Sequence, residues 1–70
     1  MDVVEEVRAR KFTLADENGK ARAVLSLDKE GPNLALLDEN GMVRAEMGIG
    51  KDGPWMAMWD RHGNRVWEAP

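Results

Sequence analysis

The sequence predicts an all-β chain: an antiparallel up-and-down meander of about six strands, drawn from three 22-residue repeats and assembling as a homotrimeric β-prism. Three observations carry that reading. Residues 12–32, FTLADENGKARAVLSLDKEGP, return at 34–54 as LALLDENGMVRAEMGIGKDGP and, truncated, at 56–70 as MAMWDRHGNRVWEAP. Apolar residues alternate inside the copies, Ala21, Ala23, Leu25 and Leu27 and then Val43, Ala45, Met47 and Ile49, which is the period of a strand. Acidic, Gly-containing steps separate the alternating runs and read as turns.

The elements follow in order. The first strand is expected near 4–15. Over residues 1–11, Val3, Val7 and Ala9 alternate as a strand does, while Val3, Val4 and Val7 with a Glu6–Arg10 pair also fit a helical stub. The lack of a turn signal before Phe12-Thr13-Leu14 favours a strand extension. DENG at 16–19 suits a type I turn whose last residue needs positive φ, which Gly19 supplies. A strand at 20–27 leads to DKEGP at 28–32, read as a second, longer turn, because proline is barred from the middle of a ladder. Strands at 33–37 and 42–49 flank the second DENG at 38–41. After GKDGP at 50–54 come strands at 55–59 and 64–68. Residues 12–70 thus form one β-repeat domain with units 12–33, 34–55 and 56–70.

Size then limits what the meander can do alone. A 70-residue chain buries only about 60% of its unfolded surface, and without cysteine it has no disulfide or thiolate metal site to supplement the core. The apolar phase of the strands, Leu14, Leu25, Leu27, Leu34, Leu36, Met47, Ile49, Met56 and Met58, reads as a wall that packs against like walls, so the first expected partner is the chain itself, in a homotrimer ahead of a dimeric sandwich or a monomeric barrel. Ten basic residues against 13 acidic ones give a net charge of −3 with no basic block, which disfavours nucleic acid. No apolar run approaches the roughly 20 residues of a membrane span, so this segment is not expected to insert directly. Met1-Asp2 followed by Glu5 and Glu6 lacks the order of a signal peptide.

The candidate chemical residues mostly read as structure. Asp16, Asn18 and Gly19 imitate the start of a calcium loop, but the run stops at its fourth residue and His62 replaces the asparagine in the third copy; neither metal nor cofactor is expected. His62 is the sole histidine, Ser26 the sole serine, and Glu5/Glu6 and Asp38/Glu39 have no apolar pocket to separate their pKa values, so the chain reads as no enzyme. Arg22 and Arg44, with Arg8 and Arg10 upstream, offer an anion ladder or, more simply, outward strand positions that pair with Glu46 or the turn acids. Trp55, Trp59 and Trp67 stand where the repeat puts Asn33, Leu37 and Ala45. They read as bulk capping the end of the stack, or as a surface for stacking on a glycan, with Trp59 the first to check for exposure.

The pattern LxLxDENGxxRAxxGxxxxGP resembles short tandem repeats of largely uncharacterised bacterial proteins, in which a hydrophobic or signal-like segment precedes a β-repeat region. It spans residues 7–70, resting on DENG at 16–19 and 38–41, the Arg-Ala pairs, the Gly-Pro turns and the closing segment 63–70. The resemblance implies the soluble part of an extracytoplasmic protein, with Met1 a start added where an upstream segment was removed. Val66 departs from it, standing where the spacing puts an arginine. Together these features lead to a non-enzymatic structural or interaction module; the other class in play is a carbohydrate or cell-wall binding module that uses the tryptophans and arginines.

Overall fold

The computed structural model describes residues 3–70; the reading of Met1 as an added start lies outside them. Six strands, β1 (Lys11–Ala15), β2 (Ala21–Asp28), β3 (Gly31–Leu37), β4 (Val43–Gly50), β5 (Gly53–Trp59) and β6 (Arg65–Ala69), form one sheet in chain order, every neighbouring pair antiparallel. The all-β meander is therefore as expected, while two of its details differ.

The first difference is at the N-terminus, where β1 begins at Lys11 and residues 3–10 form neither strand nor helix. β2 reverses into β3 at Gly31, whose φ is 139° (Gly53 has φ 118° at the next such turn) and where a Cβ would lie 2.2 Å from the Ile49 carbonyl oxygen. Lys11 pairs with Ser26, so a longer β1 would run opposite Leu27 and Asp28 and then past the end of β2, which leaves the valine-rich segment no strand to pair with. Its Glu6 accepts from Arg8 rather than pairing with Arg10.

The second difference is which turn is tight. Asp28 pairs with Gly31 and Gly50 with Gly53, leaving the two-residue loops 29–30 and 51–52, so the steps expected to be longer are the shorter ones. Pro32 and Pro54 lie one residue inside their strands, opposite Leu27 and Ile49, near the strand start where a missing N–H is tolerated. The DENG-type steps are wider. The Asp16 N–H donates to the Lys20 carbonyl at 2.9 Å and the Gly19 N–H to the Asp16 carbonyl at 2.9 Å, and the same two bonds recur at Asp38/Met42 and Gly41/Asp38, and at Asp60/Asn64 and Gly63/Asp60. Gly19, Gly41 and Gly63 have φ of 82°, 81° and 85°, the positive values expected of them. Each wide turn is followed by a β-bulge, in which Arg22, Arg44 or Val66 is the extra residue.

Register then sorts the side chains. Phe12, Leu25, Leu34, Met47, Met56 and Ala69 form one cross-strand row, and Leu14, Ala23, Leu36, Ala45, Met58 and Trp67 the next on the same face. Thr13, Val24, Ala35, Glu46, Ala57 and Glu68 form a row on the other face. Among the described residues nothing covers the apolar rows: Ala57 is the sole buried hydrophobic residue there, and it lies on the opposite face. The single layer has a radius of gyration of 14.0 Å, against about 11 Å for a packed domain of this length.

Replacing Gly31 with alanine is expected to cost more stability than replacing Gly53. Both bear the strain of positive φ, about 1–3 kcal/mol, but only Gly31 also meets the Ile49 carbonyl. Urea unfolding of the two variants compares them directly.

Candidate functional site

The largest feature of the surface is the uncovered apolar face. Leu14 and Leu27 are each 66% exposed, and Leu25, Leu36, Met47, Ile49 and Met58 lie between 40% and 52%. Leu34 and Met56, in the middle of the sheet, are half-buried by their neighbours in the row. Phe12 and Trp67, absent from the nine residues singled out in the sequence, stand on the same face and are also exposed. Phe12 was legible there, two residues before Leu14 and in phase with it. The rows are not uniform. The row through Leu14 alternates large and small up to Met58 and then ends on Trp67 where Ala23 and Ala45 stand in earlier strands.

Area supports the same picture. The chain exposes 6105 Å², whereas a compact protein of 7.9 kDa exposes about 4,400 Å². Part of the excess is the extended segment 3–10; the rest is sheet.

The arginines are tied into the sheet. Being bulged, Arg22 reaches across to β3, where its Nε donates to the Leu37 carbonyl at 3.2 Å while Nη1 lies 3.7 Å from the Asp16 carboxylate. Arg44 repeats this on β5, with Nε donating to the Trp59 carbonyl at 2.8 Å and Nη1 3.5 Å from Asp38. Each guanidinium thus ties its own preceding turn to the strand that follows, and each pairs with a turn acid rather than with Glu46. Val66, at the corresponding bulge of β6, has no further strand to reach among the described residues, and the Asn64 side chain donates to Asp60 there instead. The bulge that aims these side chains could not be read from alternation, because it breaks the alternation.

The turn acids do backbone work. The Asp16 carboxylate accepts from the Asn18 and Lys20 N–H groups, that of Asp38 from Asn40 and Met42, and that of Asp60 from His62 and Asn64, all at 2.9–3.0 Å. These bonds, led by the one to Lys20, Met42 or Asn64, hold all three carboxyls below the usual aspartate range. His62 sits at a hairpin tip and contributes its backbone N–H to Asp60. Among the described residues no three acidic, histidine or cysteine side chains gather as a metal would require.

The tryptophans occupy three different settings. Trp55 is half-buried over Gly48, where a Cβ would come within 2.9 Å of its Cζ2 atom; Ser26 and Asn33 hold the same pair of places earlier in the sheet. Gly48 gave no sequence signal beyond its own place opposite a tryptophan. Trp59 is half-buried, with the Arg65 guanidinium carbon 5.4 Å from its ring centroid. Trp67, 48% exposed, is the most open of the three, and it lies on the apolar face while Trp55 and Trp59 flank Ala57 on the other. Exposure therefore falls on Trp67 rather than on Trp59.

No protein-family model, no curated protein and no solved structure matches the chain.

Two outcomes follow from the turns and the arginines. Because the three aspartates are held below their unfolded pKa, they stabilise the fold above about pH 4, and that contribution is lost as pH falls through the folded values. Denaturation midpoints measured from pH 7 down to pH 2 should fall at the acid end, and should fall less steeply when all three are replaced by asparagine. Arg44→Ala should cost about 1 kcal/mol in urea unfolding, and Arg44→Lys should not restore it, since a single ammonium cannot serve both Trp59 and Asp38.

Proposed function

We propose that this chain is a non-enzymatic structural module that works by self-association, three copies closing their apolar faces into a homotrimeric β-prism whose walls come from the three 22-residue units of each chain. The observation that carries the proposal is the face itself: leucine, isoleucine and methionine side chains aligned in register over β1 to β5 and continued by Trp67 on β6, 40–66% exposed at their open positions, in a chain with almost no core. Exposure on that scale in one contiguous patch marks an interface, and burial of such a patch at about 25 cal/mol per Å² is the stabilisation that a single layer lacks.

Three walls fit the strand length. Facing sheets stand about 10 Å apart, so each wall of a prism lies about 5 Å from the axis, which needs a triangle side of about 17 Å, or about five strand residues. The strands have five to eight. In that arrangement the Leu14–Ala23–Leu36–Ala45 alternation lets large residues of one wall meet small ones of another, and Trp67 from each copy fills the end layer. The role is assembly or presentation, and the repeat resemblance supports an extracytoplasmic setting.

Light scattering coupled to size exclusion tests this at micromolar concentration: the mass should be three times 7.9 kDa. A folded monomer overturns the proposal, and a stable dimer replaces its symmetry. Met47→Asp, in the central row, should dissociate the assembly, whereas Lys51→Asp in an exposed turn should leave the mass unchanged.

A further inference from the structure

The two edges of the sheet are chemically different. At both interior places where a strand enters a DENG-type turn from the preceding unit, its last carbonyl is taken by an arginine of the strand before it: Leu37 by Arg22, and Trp59 by Arg44. Ala15 holds the same place at the end of β1, with the same bulge opposite it. The direction of its carbonyl is settled by the turn. The Asp16 N–H donates across the turn to Lys20, toward β2, and in a trans peptide the C=O and N–H point oppositely. The Ala15 carbonyl therefore points away from β2, out over the open edge. Among the described residues no side chain donates to it, and β1 is exposed along its whole length.

The other edge lacks the matching device. Val66 replaces the arginine that would reach out from β6, so β6 of one copy cannot clamp β1 of another, and head-to-tail stacking of identical chains forgoes the contact made twice inside each chain.

We infer that the β1 edge is an acceptor for strand addition, and that its partner is another polypeptide with an unpaired antiparallel strand of the D-x-x-G-x-x-R-A pattern, whose arginine binds the Ala15 carbonyl as Arg22 binds Leu37. Main-chain ladder bonds supply the affinity and the guanidinium selects the register. The aspartate six residues before that arginine is part of the motif, because it holds the other side of the guanidinium, as Asp16 and Asp38 do. The edge and the apolar face are separate surfaces, so this inference stands or falls independently of the trimer.

The probe is a synthetic peptide with the sequence of residues 16–28, added to the isotope-labelled full chain. Amide shifts and new exchange protection should concentrate at Lys11–Ala15, and replacing the peptide's arginine by alanine should weaken binding about tenfold. The inference is overturned if the peptide does not bind at millimolar concentration, if the shifts map to β6 or the apolar face, or if the alanine peptide binds as well.

Discussion

Each strand of this protein pairs only with its sequence neighbours, so the turns alone set register, and on register everything else depends. A slip of one residue at any turn would transfer a strand's whole apolar set to the opposite side. The turns are accordingly over-determined. A glycine supplies the positive φ, an aspartate carboxylate collects two backbone N–H groups inside the loop, and at two of the three wide turns an arginine joins that carboxylate to the strand beyond. In a larger domain a packed core would correct register errors; here the loops must do it.

The arginines show how one local irregularity acquires a structural role. A regular strand would send Arg22 and Arg44 out of the plane, where they would be ordinary solvated charges. The bulge turns them along the sheet instead, onto the last carbonyl of the strand that follows. At the corresponding bulge of β6, Val66 has no strand ahead of it among the described residues. Trp55 over Gly48 is a second local exchange, in which bulk gained on β5 is matched by a side chain given up on β4.

Much of this was legible in the residues. The 22-residue spacing of Asp16, Asp38 and Asp60 and the two-residue alternation between them lead to the meander, its strand order and the composition of its apolar face. Two things were not legible, each for a physical reason. Gly-Pro reads as a broad turn by composition, but the glycine's φ allows a two-residue reversal with the proline already inside the strand. The valines at 3, 4 and 7 carry strand propensity, yet propensity cannot act without a strand to pair with, and β2 ends at Asp28, two residues past the partner of Lys11. The fate of the tryptophans depended on which face each strand presents after a bulge, which alternation alone does not reveal.

The contacts between elements run only from each strand to the next. A chain wired this way can fold in the order in which it is synthesised, since every hairpin completes its hydrogen bonds once its second strand has emerged and none waits for the C-terminus. The apolar surface accumulates on the same schedule, strand by strand, on a nascent chain that has no means of covering it. In the assembly proposed above, the interval between leaving the ribosome and meeting another copy is the stage at which that surface is most open to misassociation.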